Sequence, residues 1–357
     1  MRTHLIEPHA GGRISGGYLY NQCVADGVTV CRHAVRLDSL AADLSALGLS
    51  EPGWVLADSL FLRPQLLAPF LGLRRPGLGL GVLLHALPSF IERASRRDVL
   101  ERELPLRATP TELALLETLD LLVAPGPYVP RLLAEQGSTI RCLICPPGVD
   151  RFVSPRAREG ARGDDPVHLI SLGGVSPLKG FGDALRALGA CTSREWQWSI
   201  VGNLELDPVH VSELLHLRSE LGLEGRVHLL GQRDHPTSLT LLGQSDALLL
   251  PSFTENAPLV ALEALAAGVP VVGYAAGGLP ELLRDSEAGL LAPLLDVQGL
   301  SERLRQIIED GALRARLSRA ARSAGQALPS WSQAARDFAA QLAAEPIRSA
   351  ARPRTDA

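Results

Sequence analysis

From Val167 onward the chain alternates short apolar runs with longer amphipathic ones. VHLISLG leads into a helical stretch from Gly182 and WQWSIVG into one from Pro208; RVHLLG, DALLLPS and PVVGY follow. Parallel strands cannot be joined by a tight hairpin and need a crossover, usually helical, so this rhythm predicts a parallel sheet built from βαβ units. The first half repeats it more loosely, with THLIEP, GVTVC, GWVLAD, LGVLLHA, DLLVAP and IRCLICP as strand candidates. Two α/β units in tandem are therefore expected, and 357 residues, 46% of them hydrophobic, suffice for two cores. Between them RFVSPRAREGARGDD is polar, aperiodic and contains Pro and Gly, which reads as a linker. After Asp296 the pattern is purely helical, through QIIEDGALRARLSRAARSAGQAL and then SWSQAARDFAAQLAAE. The expected organisation is a first domain over 1–150, a linker over 151–165, a second domain over 166–325, a closing helix over 326–345 and a flexible tail over 346–357.

Charge and cysteine usage remove several function classes. The net charge of −4 gives no field to attract nucleic acid, so no nucleic-acid partner is expected. The five cysteines, Cys23, Cys31, Cys142, Cys145 and Cys191, lack the dense spacing of a disulfide scaffold and fit a reducing cytoplasm. Cys142 and Cys145 form a CxxC with no second ligand pair beside it, so neither zinc nor redox chemistry is assigned to it. The beginning MRTHLIEPHAGG carries no signal-peptide pattern, and the most apolar stretch, from Leu60 to Phe90, is broken by Arg63, Pro64, Pro69, Arg74, Arg75 and Pro76. The segment IERASRRDVLEREL balances its arginines with Glu92, Asp98, Glu101 and Glu103; a solvated helix is expected, with a weak peripheral contact to the inner face of a membrane as the alternative.

Of 35 basic residues a single one is lysine: Lys179, in the glycine-flanked loop SLGGVSPLKGFGDAL. A compact ammonium retained where arginine is otherwise universal points to a site that tolerates only lysine, and beside glycines it suits a phosphate. The densest cluster lies in PSFTENAPLVALEALAAGVPVVGYAAGGLPEL. A strand ends near Ser252, a loop carries Glu255, and a helix is expected to open with Asn256 as its cap and Pro258 in its first turn. The unpaired amides of such a turn bind anions, which places a diphosphate near Ala257, Pro258, Leu259 and Val260. Glu263, seven residues beyond Glu255, is a charge in an otherwise apolar helix, where it is costly without a function, and a carboxylate gripping vicinal hydroxyls suits a ribose.

These residues resemble the family-4 retaining glycosyltransferases. The resemblance rests on Glu255 and Glu263 as the family's Glu-x7-Glu signature with GVPVV and AAGGLPELL beyond it, Lys179-Gly180 at its diphosphate lysine, CPPGVDRF at its Pro-Asn-Gly-Val-Asp segment, and Trp331 at the tryptophan opening the closing helix. It implies the GT-B architecture, two Rossmann-like doubly wound domains facing across a cleft. It further implies that Lys179 neutralises the diphosphate, that Glu263 holds the ribose, and that Glu255 with the following amides holds the donor sugar. Gly16 and Gly17 of GGRISGGYLY match the glycine loop that lets backbone approach the transferred group, and His85, ending LGVLLHALP, matches a histidine facing the donor sugar.

The activity so implied is retaining, hexosyltransferase-like transfer from a nucleotide-diphosphate sugar to a hydroxyl acceptor, whether glycan, lipid-linked or small molecule, with polysaccharide biosynthesis as one setting. No cofactor and no metal are expected, because no DxD cluster flanks the site and Asp164-Asp165 falls in the linker. The family places an arginine five positions before the lysine, where this chain has Gly174; Arg13 and Arg233 are the candidates to replace that charge. The alternative reading is a non-catalytic nucleotide-sugar-binding protein that kept the fold. A dinucleotide dehydrogenase would need GxGxxG after the first strand, which GGRISGG does not supply. The sugar, base, acceptor and oligomeric state are not specified by the sequence.

Overall fold

The computed structural model describes residues 2–9, 16–26, 30–103, 106–150, 166–191 and 195–347. The expected linker and Arg13 lie outside the described residues, as does the tail from 348. The chain divides into two compact units, one of Met1–Glu92, Pro105–Gly148 and Trp331–Ala357, the other of Arg93–Leu104 and Val149–Ser330.

In the first unit, strands β1 (Arg2–Pro8), β2 (Val30–Val35), β3 (Gly53–Asp58), β4 (Leu78–Leu83), β5 (Leu121–Ala124) and β6 (Cys142–Ile144) form one sheet in the order β2-β1-β3-β4-β5-β6. Every pairing in it is parallel. A parallel sheet is covered on both faces, so its central strands are largely apolar, and all six residues of β3 and of β4 are buried, Asp58 at the end of β3 included. The edge strand β2 differs: it runs past GVTVC through Arg32 and Ala34, which are exposed in alternation, so a continuous apolar run does not mark it. The helix Trp331–Ala344 belongs to this unit. Its Trp331 ring meets Tyr20 of the helix Gly16–Asp26 edge-on at 6.0 Å, and its Phe338 is buried.

In the second unit, β7 (Val167–Leu172), β8 (Trp196–Val201), β9 (Val227–Gly231), β10 (Ala247–Leu250), β11 (Val271–Tyr274) and β12 (Gly289–Ala292) pair in the order β12-β11-β10-β7-β8-β9, again all parallel. Ile170, Leu248, Leu250 and Val271 from the strands pack with Ala261, Leu265 and Leu283 from helices on the sheet. Ser171 Oγ donates to Leu249 O at 2.5 Å and accepts from Trp198 Nε1 at 3.0 Å, tying β7 to both neighbours through a satisfied buried hydroxyl. Strand order reverses between β7 and β10, where chain leaving the two strands diverges and opens a crevice.

Two local features depart from the sequence reading. Strand β12 escapes it, being four residues at a sheet edge. The long helical run after Asp296 breaks at Asp310, because Asp310 caps the following helix through Leu313 N at 2.8 Å. Arg314 closes the preceding one on the carbonyls of Ile307 and Ile308.

Candidate active site

In the second unit the reversal of strand order sets Lys179 against Glu255. Leaving β7, the chain makes one 3₁₀ turn over Pro177–Lys179; leaving β10, it runs from Pro251 to Pro258. Phe253 N donates to Leu178 O at 3.0 Å and locks the two loops together. Lys179 Nζ then lies 2.9 Å from Glu255 Oε1, with both side chains largely shielded. The Glu255 backbone is fixed from the other side, where Gly278 N donates to Glu255 O at 2.6 Å. Gly277 adopts φ 58°, and a Cβ there would overlap Glu255 O, so the glycine pair of AAGGLPEL is what that approach requires.

The helix beyond this loop begins later than expected. It spans Leu259–Ala267 with Pro258 at the N-cap and no side-chain capping bond, so Asn256 is not the cap. Pro258, with φ −72° and ψ 89°, is the last residue outside helical geometry, and the chain turns helical only after it. Pro258 has no N–H, which leaves Ala257, Leu259 and Val260 as amide carriers in the stretch expected to meet a diphosphate. Ala261 N and Leu262 N donate to Pro258 O, and the Leu259 and Val260 amides stand ahead of that first bonded turn.

Glu263 is buried and does not stand alone. Its Oε1 lies 2.7 Å from Nε2 of His235, the first residue of the helix His235–Gly243, which Asp234 caps through Thr237 N at 2.7 Å. The hydrogen bond to Glu263 raises the His235 pKa; burial opposes it, while the charges of Glu263 and Asp150 add to it. No feature of the sequence singled out His235, because the pairing spans 28 residues and two helices. Arg233 is exposed and bonds its neighbour's carbonyl, Gln232 O, at 3.0 Å; among the described residues no bond joins it to Lys179 or Glu255. At Gly174 a Cβ would lie 3.0 Å from Leu206 Cδ2, a side chain that is itself exposed.

In the first unit a second polar cluster forms at the carboxyl ends of β1, β3 and β4. Gly16 and Gly17 open the helix Gly16–Asp26, and a Cβ on Gly17 would lie 3.1 Å from His85 Cδ2, so the helix start rests on the imidazole. His85 Nε2 is 2.8 Å from Asn21 Oδ1 and 3.8 Å from Asp58 Oδ2, and Tyr20 meets the ring edge-on at 5.5 Å. Asn21 Nδ2 reaches Glu7 Oε2 at 2.9 Å and Asp58 Oδ2 at 3.3 Å; Arg32 binds Glu7 Oε1 through Nε at 3.1 Å and Nη2 at 2.5 Å. Burial lowers the His85 pKa against the upward pull of Asp58 and Glu7, favouring the neutral imidazole. Glu7, Asn21 and Asp58 were not anticipated, since each sits in a run whose neighbours read as ordinary strand or helix. The CxxC thiols are held protonated by burial, which pushes Cys142 up to about 11 and Cys145 to about 12.

The glycosyl transferases group 1 model matches residues 155–324, a span that includes the β7 and β10 loops and the helix carrying Glu263. In this span the chain is similar to the group 1 glycosyltransferases. Among curated relatives, the D-inositol 3-phosphate glycosyltransferase of Nocardioides sp. is 30% identical over 62% of this chain and 53% of its own length. The lipopolysaccharide core biosynthesis glycosyltransferase LpsE of Rhizobium meliloti is 29% identical over 58% and 60%. The chain thus spans between half and two thirds of the length of these relatives. Likeness to solved structures extends beyond residues 155–324. Sucrose-phosphate synthase from Thermosynechococcus elongatus superposes with a TM-score of 0.78 at 20% identity, covering 96% of this chain and 98% of that one. Anabaena HepE in complex with UDP-glucose gives 0.76 at 19%, covering 97% and 100%. At these identities the likeness shows the fold, the two-domain α/β architecture of GT-B glycosyltransferases.

Proposed function

We propose that the chain is a glycosyltransferase of the family-4 retaining type, moving a sugar from a nucleotide diphosphate to a hydroxyl acceptor. The observation that carries this reading is the Lys179–Glu255 pair at the reversal of strand order, with Glu263 one helix start away. As the anomeric bond breaks, negative charge grows on the leaving phosphate. The Lys179 ammonium and the Leu259 and Val260 amides stabilise that charge where it develops. In this reading the diphosphate competes with Glu255 for Lys179, which frees the carboxylate to accept hydroxyls of the donor sugar. Glu263, oriented by His235, takes the ribose hydroxyls. By the resemblance, His85 is assigned to the donor sugar. No side-chain carboxylate is assigned as nucleophile; the acceptor attacks on the face the phosphate leaves, and a phosphate oxygen takes its proton. Countercharge comes from Lys179 and backbone amides, so the reaction proceeds without a divalent ion.

Because HepE has been solved with UDP-glucose, a uridine diphosphate sugar is the first donor to test. Thermal shift and calorimetric titration of the full chain with UDP and UDP-sugars in EDTA should give binding that Lys179→Ala reduces at least tenfold, and a product whose anomeric proton keeps the donor's configuration. Inversion would overturn the retaining assignment, and loss of activity in EDTA the metal-free one. A non-catalytic binder is the second reading, favoured by one observation, the missing cation at Gly174. Tight nucleotide binding without turnover across acceptors would select it.

A further inference from the structure

Asn21 is fully buried in the middle of the helix Gly16–Asp26, facing Glu7, Asp58 and His85. A primary amide has two N–H donors on nitrogen and acceptor capacity only on oxygen. Both groups facing Nδ2, Glu7 Oε2 at 2.9 Å and Asp58 Oδ2 at 3.3 Å, are carboxylate oxygens, which accept. Each carboxylate is occupied elsewhere in the same sense: Glu7 Oε1 takes the fork of Arg32, and Asp58 Oδ1 takes Leu60 N at 2.9 Å. Flipping the Asn21 amide would turn its oxygen toward two anions, so one orientation is fixed. In that orientation Oδ1 points at His85 Nε2, 2.8 Å away, and can only accept.

We infer that Asn21 is a positioning residue for His85, holding its imidazole as the Nε2–H tautomer and leaving Nδ1 as the acceptor nitrogen of the ring. The order of control runs from Arg32 through Glu7, and from Leu60 through Asp58, to Asn21 and then to His85. For the donor sugar such a histidine is a ring of fixed tautomer and orientation, rather than one free to exchange tautomers or flip. This use of His85 rests on the proposed reading that it meets the donor sugar; the tautomer does not.

The test uses the full chain labelled with ¹⁵N at histidine, long-range ¹H–¹⁵N correlation spectra, and His85→Gln to assign the His85 signals. The expected spectrum shows His85 as the Nε2–H tautomer near pH 7, and Asn21→Leu, similar in size without the amide, should turn it into a tautomer mixture. Turnover of Asn21→Leu should fall on the order of 10²-fold with donor KM changed less than about twofold, and Asn21→Leu should cost little more in a His85→Gln background. An Nδ1–H signature in the unsubstituted chain overturns the inference, as does an unchanged His85 spectrum in Asn21→Leu. Should that variant fail to fold, the unsubstituted spectrum alone decides. If no sugar donor is ever turned over, the glycosyltransferase reading falls while the spectra still decide the tautomer.

Discussion

At the scale of single residues, the site consists of charges that each have a protein partner before any donor arrives. His235 offers the clearest measurable consequence. Its folded pKa is raised above 6.5, chiefly by the bond to Glu263, so the folded state favours the proton. The stabilisation is fully present below pH about 6.5 and is lost as pH rises through the folded value. The melting temperature of the unsubstituted chain should therefore fall between pH 6 and 8 more than that of Glu263→Gln; parallel melting profiles would refute the coupling. Gly174 gives a gain-of-function prediction. Leu206, the side chain nearest to a new Cβ, is exposed and free to swing aside. Gly174→Arg should then add a charge-assisted contact to the diphosphate worth about 1.5–3 kcal/mol, tightening nucleotide binding roughly tenfold or more in calorimetric titration. An unchanged Kd would mean that the diphosphate lies out of reach of this loop.

At the scale of elements, loop-to-loop locks at strand ends set the site more than the helices do. Glu255 is held by Gly278 N on one side and by the Lys179 ion pair on the other. Gly277→Ala forces a Cβ into Glu255 O at a φ that costs an L-residue about 1–2 kcal/mol. Urea unfolding should show at least that loss, and nucleotide affinity should weaken with it; a neutral substitution would show that the loop shifts freely. This is also the scale at which the sequence is most legible. Strands such as GWVLAD and DALLLPS are apolar because they are buried on both faces, so their runs mark them, and Lys179, Glu255 and Glu263 stand out as charges among glycines and alanines. Two of the edge strands are marked less clearly: β2 alternates beyond GVTVC, and β12 is four residues long. The start of the Glu263 helix was misplaced at Asn256 because cap preference is a local statistic, whereas Pro258 sets the geometry. His235–Glu263 and Asn21–His85 were illegible because each joins separate elements, 28 and 64 residues apart, and only the folded chain brings them together.

At the scale of the whole molecule, each unit has its own sheet and core, and this predicts separable stability. Phe338, buried in the helix Trp331–Ala344, packs within the first unit although it follows the second in sequence. Phe338→Ala should cost about 3–5 kcal/mol. Hydrogen exchange should then show faster opening of β1 to β6 while β7 to β12 keep their protection, and the nucleotide-induced thermal shift of the second unit should persist. Uniform loss of protection across both sheets would mean that the two units unfold as one.

The return of the chain from the second unit to the first also sets an order of events at the ribosome. The second unit's main segment, Val149–Ser330, is contiguous and can close as it emerges, but the first unit lacks a helix until residues beyond 330 are made. At about 5–20 residues per second, the surface around Tyr20 that Trp331 covers stays open for roughly 10–40 s after Gly148 has been translated. The half of the molecule that is synthesised first is therefore completed last, and during that interval it presents an apolar face to whatever chaperones attend the nascent chain.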